Sequence, residues 1–187
     1  TERVHANDLI DRLRATRDRD QTALLEAMRS ERYTMLLDRL VEAGRAPRMR
    51  DELSNERAKT VVTKLAWRPV KRLRKQIRAL APDPADAQLH EARKRAKQAR
   101  YAFEAIAPVA GTGAARRARR LADLQSVLGD HQDTVVAAAW LHEAALDSPG
   151  SETPFVAGRL AGAFDADRTR LRDRWPRVWK RVEHTLR

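Results

Sequence analysis

Read for the spacing of its apolar and polar residues, the chain is helical almost from end to end. Gly and Pro are few and sit at junctions between periodic segments, and no stretch alternates apolar and polar as a half-buried strand would. A first helix is expected from about Arg3 to Met28, with Leu9, Ile10, Leu13, Leu24, Leu25 and Met28 apolar and a polar middle that faces water. Ser30 is placed to cap a second helix, which turns Tyr33, Leu36, Leu37, Leu40 and Val41 inward and ends at Gly44 and Pro47. A long helix over residues 52–81 should kink near Leu65 to Arg68, because Pro69 removes one backbone bond. Residues 89–106, LHEARKRAKQARYAFEAI, form another helix, capped by Asp86 and stopped by Pro108. After a turn at Gly111 and Gly113, the stretch to Leu146 reads either as two helices divided at Gly129 and Asp130 or as one bent helix. A loop over residues 147–154 precedes one or two tail helices, interrupted by Pro176, with Leu160, Phe164, Leu171, Trp175 and Trp179 as core candidates. The predicted fold class is all-α.

Two of these helices have faces of unlike kind. On a 3.6-residue period Leu89, Ala92, Ala96, Ala99, Phe103 and Ile106 line up as one apolar stripe, with Leu121, Leu124, Leu128 and Val135 as the buried side of the helix after it. Beside the first stripe His90, Arg93, Lys94, Lys97, Arg100 and Tyr101 form a row relieved only by Glu91 and Glu104. A solvated helix face normally mixes signs, since opposite charges four apart relieve repulsion, so a one-signed row is suited to an anion. The alternative is a plain solvent-facing basic helix. In the preceding helix Val62, Ala66, Val70, Leu73, Ile77 and Leu80 fall opposite a second ladder of Lys64, Arg68, Lys71, Lys75 and Arg78. Arg116, Arg117, Arg119 and Arg120 then crowd the first turns of the next helix, where the dipole disfavours cations and an external anion is welcome.

Composition sharpens this picture. The formal net charge is +12, and between Thr60 and Arg120 sixteen Lys or Arg stand against four acids, so that third of the chain carries the excess. Codon bias explains a high Arg count but not where it gathers. A clustered basic field points to a polyanion such as nucleic acid, an anionic membrane or a phosphate polymer. Residues three or four apart on a helix stand about 5 Å apart along its axis, so each ladder tracks an extended chain of negative charge. Binders of single-stranded nucleic acid interleave aromatics with their cations. Here only Tyr101 lies on a basic face, with Trp67 beside one ladder and Trp140, Trp175 and Trp179 assigned to the core, which favours phosphates without bases.

Other chemistry finds little support. The chain has no cysteine, which excludes disulfides and thiolate sites and is compatible with a reducing cytoplasm. No apolar run approaches the roughly 18 residues of a membrane span, and residues 1–14 do not resemble a signal sequence, so no membrane insertion is expected. Phosphate-cradling Gly loops, nucleophile elbows and zinc-peptidase motifs are missing, and no catalytic residue or cofactor is predicted. The nearest metal-like group is Asp130, His131 and Asp133, with His90 conceivably close in space; capping by Asp130 and a hydrogen-bonded His131 account for it as well. His142 reads as a satisfied core-edge histidine, and His5 and His184 carry little information.

The motifs then become recognisable. His90, Arg93, Lys97, Arg100 and Tyr101 in LHEARKRAKQARYAFEA, followed by Leu124, Gln125, Leu128, Gly129, Asp130, His131 and Asp133 in LADLQSVLGDHQDTVVA, resemble the CHAD family, the conserved histidine α-helical domain. WRPVKRLRKQIRAL and SERYTMLLDRL are also similar to family segments, so the likeness covers nearly the whole chain as one domain, with residues 82–147 the best-matching repeat. The resemblance implies an antiparallel helical bundle with internal two-fold repetition and a central basic groove that binds inorganic polyphosphate without catalysis. It also implies cytoplasmic placement, at polyphosphate granules, and a CYTH triphosphate-tunnel domain as a fused or associated neighbour. In that groove the expected contacts are Lys64, Arg68, Lys71, Lys75, Arg78, His90, Arg93, Lys94, Lys97, Arg100, Tyr101, Arg116, Arg119, Arg120 and His131. If the histidines chelated metal instead, His90, His131 and Asp133 would be the ligands. VHANDLIDRLR departs from the pattern, with Asp8 where Arg is expected after His5, and the chain starts without Met. A fragment or a reduced first repeat is the expectation, and a homodimer would then supply a missing groove wall.

Overall fold

The computed structural model describes residues 2–47, 57–148 and 150–187, and the described residues form six helices and no strand. They are α1 (Glu2–Arg29), α2 (Glu31–Arg45), α3 (Ala58–Arg78), α4 (Asp86–Ala110), α5 (Thr112–Leu146) and α6 (Glu152–Thr185). The all-α class expected from the periodicity is what forms, consistent with the helical bundle that the resemblance implies. The chain divides into two compact units, one of Thr1–Asn55 with Ala144–Ala157 and one of Glu56–Glu143 with Gly158–Arg187.

The second unit holds the larger core. Ala66, Val70, Leu73 and Ile77 of α3 and all six stripe residues of α4 are buried, joined by Leu121, Leu124 and Leu128 of α5 and by Trp175, Val178, Trp179 and Val182 of α6. Ala92, Ala96 and Ala99 are fully buried and small, which lets neighbouring helices approach α4 closely. Phe103 anchors the cluster and meets Trp67 edge-on, ring centroids 5.5 Å apart. Trp67 is therefore half-buried in packing rather than simply beside a ladder. Leu160 is exposed, Phe164 and Trp140 are only half-buried, and His142 is exposed rather than at a core edge.

In the first unit Ser30 caps α2 as expected, its hydroxyl accepting from the Tyr33 N–H at 3.4 Å. The inward turn of the α2 stripe does not occur: Leu36, Leu37, Leu40 and Val41 are exposed, and α2 buries no residue. On α1 only Leu9 is buried. His5 reaches Glu152 at 2.7 Å and Thr153 Oγ1 at 3.1 Å, and the Arg12 guanidinium donates to the Ala144 carbonyl at 3.3 Å.

Several expected helix ends are absent. Pro108 and Pro176 lie inside helices that continue through them, each forfeiting one i→i−4 bond, while Pro69 lies inside α3, where a bend and not an end is expected. Gly129 likewise interrupts nothing, so α5 is one helix, and the turn before it is made by Gly111 alone, at φ 81°. The expected start of α3 before residue 57 falls outside the described residues.

Candidate functional site

The α4 row is set by the same periodicity that buries its stripe, since residues flanking the alanine seam emerge at its edge. Arg93 and Arg100, nearest the seam, are half-buried; Lys94, Lys97 and Tyr101, one step further round, are exposed. His90 Nδ1, Arg93 Nε and Arg100 Nε are shielded from solvent and make no hydrogen bond among the described residues, as is also true of Gln125 Oε1 and Arg117 Nε on α5. A buried polar atom left unpaired costs about 1–3 kcal/mol, so each of these atoms would gain from a ligand or solvent partner. A Cβ at Gly129 would stand 3.5 Å from Arg93 Nε, which places that guanidinium against the α5 backbone. Arg100 lies 4.6 Å and Lys97 5.6 Å from the Tyr101 ring centre, so the aromatic already carries two cations.

Local acids neutralise part of the row. Lys94 is paired with Glu91, and its hydrogen bond, reinforced by its charge, holds the Glu91 carboxyl below the usual range. Arg100 has Glu104 at 3.6 Å, Arg120 has Asp123 at 3.2 Å, and Arg78 has Glu183 at 3.8 Å. Lys64, Arg68, Lys71 and Lys75 on α3, Arg93 and Lys97 on α4, and Arg116 and Arg119 on α5 have no carboxylate at ion-pair distance among the described residues. The α3 ladder is solvent-exposed and opposite the buried side of its helix, so it looks away from the core that α4 flanks.

His131 lies elsewhere in the unit. It is 1% exposed, with Nε2 3.1 Å from Asp86 Oδ1 though not aligned for a good hydrogen bond. Asp86 also receives Arg168 at 3.3 Å and Arg172 at 2.5 Å, and Arg172 continues to Asp83 and the Pro84 carbonyl. Burial holds the His131 pKa below its usual value, against the Asp86 carboxylate, which raises it; Arg172 and Arg168 lower it further. His131 is thus a buried partner of Asp86 and does not reach a surface ligand. Asp86 is not the cap of α4 either: Ala85 holds that position, its N–H donating to Gln88 Oε1 at 2.9 Å. Asp130 and Asp133 are exposed, and the described residues contain no group of three or more His, Asp or Glu able to hold a metal.

Arg117 and Arg74 carry site chemistry that the ladders overlook. Arg117 stands 5.5 Å from the Trp67 ring and 5.9 Å from Phe103, and Arg74 stands 5.8 Å from Trp67 while donating to the Leu186 carbonyl at 2.9 Å. The signal for Arg117 was its place on the apolar stripe, three residues after Ala114 and four before Leu121. A cation there must be held by π-faces or by an anion.

The chain belongs to the CHAD domain family, whose model matches residues 1–142. That is a non-catalytic helical family linked in general to polyphosphate binding. Two relatives from Mycobacterium tuberculosis, "Uncharacterized protein Rv2226" of strain H37Rv and "Uncharacterized protein MT2285" of strain CDC 1551, are each 37% identical over 156 residues. The alignment takes in 77% of this chain but only 28% of each relative, so the chain spans under a third of their length. No solved structure matches it. Among the described residues no helix is long and apolar enough to cross a membrane.

Proposed function

We propose that the second unit binds inorganic polyphosphate non-covalently along the α4 row, with Arg93, Lys97, Arg100, His90 and Tyr101 as the principal contacts. Lys94 contributes once Glu91 yields it, and Arg116, Arg119 and Arg120 extend the path on α5. Lys64, Arg68, Lys71, Lys75 and Arg78 offer a further run of charge on α3. The observation that carries this reading is the set of solvent-shielded nitrogens on His90, Arg93 and Arg100 with no hydrogen-bond partner among the described residues, Arg100 Nε having only Glu104 at 3.6 Å. A phosphate oxygen satisfies such donors, and guanidinium forks suit it better than a point charge does. Nucleic acid is disfavoured because the aromatics beside these cations are engaged: Tyr101 by Lys97 and Arg100, and Trp67 by Phe103, Arg74 and Arg117.

The test is a competition. Labelled long-chain polyphosphate is titrated at near-physiological salt and then challenged with single-stranded DNA and heparin. Binding that survives both is expected; free exchange among all three makes the row a generic cationic surface. With about eight phosphates engaged, log affinity should fall against log salt with a slope of roughly minus five or six, on the single-strand coefficient. Arg93→Glu with Lys97→Glu should weaken binding about 100-fold, two charge-assisted contacts at ~1.5 kcal/mol each, without loss of helicity. Unchanged affinity would move the site off α4.

A further inference from the structure

The run of charge on α3 does not end with its helix. Arg74 donates to the Leu186 carbonyl at 2.9 Å and Arg78 stands 3.8 Å from Glu183, while Arg172 reaches Asp83 and the Pro84 carbonyl beyond the end of α3. Partners that descend on α6 as they ascend on α3 make the two helices antiparallel neighbours, with α6 carrying on past Arg78. Over residues 174–187 the buried side is Trp175, Val178, Trp179, Val182 and Leu186, and Arg174, Arg177, Lys180, Arg181 and Arg187 are exposed on the rest of the turn. Those five cations share the segment with one acid, Glu183, which faces Arg78, and none of the five has a carboxylate at ion-pair distance among the described residues. From Lys64 to Arg78 there is no acid at all. At 1.5 Å per residue, Arg68 to Arg74 on α3 and then Leu186 back to Arg174 on α6 make a one-signed track about 27 Å long.

Its chemistry selects a ligand. So long a run of one sign suits a polyanion rather than a single small anion. Trp175 and Trp179 are buried and Trp67 packs on Phe103, so no aromatic there is free to stack a base. Over residues 174–187 no large apolar side chain is exposed, so nothing can enter a lipid surface as an interfacial helix does. The paired segments of the two helices run only from Arg74 to Arg78 and from Glu183 to Leu186, so the cations follow one another in file, which matches one thin strand rather than the two phosphate strands of a duplex. We infer that α3 and α6 carry a second polyphosphate track, separate from the α4 row. It rests on the α4 reading for its ligand class and shares none of the principal contacts there.

The test titrates the whole chain with long-chain polyphosphate. Arg177→Gln with Lys180→Gln removes two exposed cations and no core, so circular dichroism should show helicity retained. Affinity at near-physiological salt should fall about tenfold, the size of two exposed charge contacts. The slope of log affinity against log salt should become shallower by about 1.4, two contacts on the single-strand coefficient. Arg14→Gln with Arg17→Gln makes the same change of charge on α1 and should alter neither quantity. Unchanged affinity and slope in the α6 variant overturn the track, as does an equal loss in the α1 variant, which would make the effect one of net charge. An α6 variant that loses duplex DNA or phosphatidylserine vesicles while keeping polyphosphate overturns it in favour of that partner. If only Arg93→Glu with Lys97→Glu weakens binding, the α4 row stands and the track falls; if only the α6 variant does, the track stands and the α4 row falls.

Discussion

On α3 and α4 the apolar stripe is buried and much of the charged face is unmatched; on α1 and α2 the apolar stripe is bare and the charges balance. All four helices are amphipathic by pattern, so amphipathicity does not separate them. The difference lies in what completes each surface. In the second unit four helical segments enclose a core around Phe103 and Leu124, and the incompleteness is polar, in nitrogens such as Arg93 Nε. On α2 no described element covers Leu36, Leu37 or Leu40, and the incompleteness among the described residues is apolar. Polar incompleteness calls for a ligand that carries hydrogen-bond acceptors, and apolar incompleteness for another apolar surface.

The most forceful way to break this contrast is to delete matching apolar groups from both regions. Phe103→Ala should cost about 3–5 kcal/mol, as buried aromatic truncations do, read as a lower urea midpoint. Leu37→Ala, at a position 44% exposed, should stay within about 0.5 kcal/mol in dilute protein. Similar losses at the two sites would mean that Leu37 is covered in solution even when the chain is dilute.

A second change probes the polar side of the core. Asp86 is the one carboxylate that His131, Arg168 and Arg172 share, and its side chain is 30% exposed, so solvent screens part of the interaction. Asp86→Asn removes the shared carboxylate, leaving Arg168 with Asp165 alone and Arg172 with Asp83, and should destabilise the second unit by about 1–3 kcal/mol. Thermal unfolding indistinguishable from the parent would show that Asp83 and the Pro84 carbonyl suffice for Arg172.

How much of this was legible in the sequence follows the range of each interaction. The α4 stripe was fully legible: a six-member repeat on one helix face needs only the 3.6-residue period, and all six residues are buried. The Ser30 cap was legible too, since its bond spans three residues. The inward turn of Leu36 and Leu40 was misjudged because a pattern tells which face is apolar and not whether anything covers it. The position of Asp86 before α4 suggests a cap, while its partners lie 45 residues away on α5 and 82 and 86 away on α6. Pro108 and Pro176 look like breaks because local rules count the bond a proline loses and not the packing of the long helix on either side of it. The pattern shows Arg117 in its cationic cluster but not its packing on Trp67, a contact 50 residues away along the chain.

The smallest expected effect is the pH response of the buried histidine, and its sign follows from burial. His131 sits among Asp86, Arg168 and Arg172, and its folded pKa lies below the ordinary value near 6.5, chiefly because burial penalises the imidazolium. Between the folded and the ordinary value the unfolded chain holds more protons than the native one, so stability rises with pH across that interval. The contribution is present in full above the ordinary histidine range, is lost as pH falls from about 7.5 through 6.5 toward the lowered value, and is constant below it. Replacing His131 with Gln removes this titration while keeping a polar side chain beside Asp86. The difference in urea midpoint between parent and variant should therefore shift against the parent as pH is lowered from 7.5 to 5.5, and His5, His90, His142 and His184, common to both proteins, cancel. A difference that moves in the parent's favour over that interval would mean that Asp86 outweighs burial and that the native state prefers the charged ring, making the cluster a protonated ion network rather than a buried neutral contact.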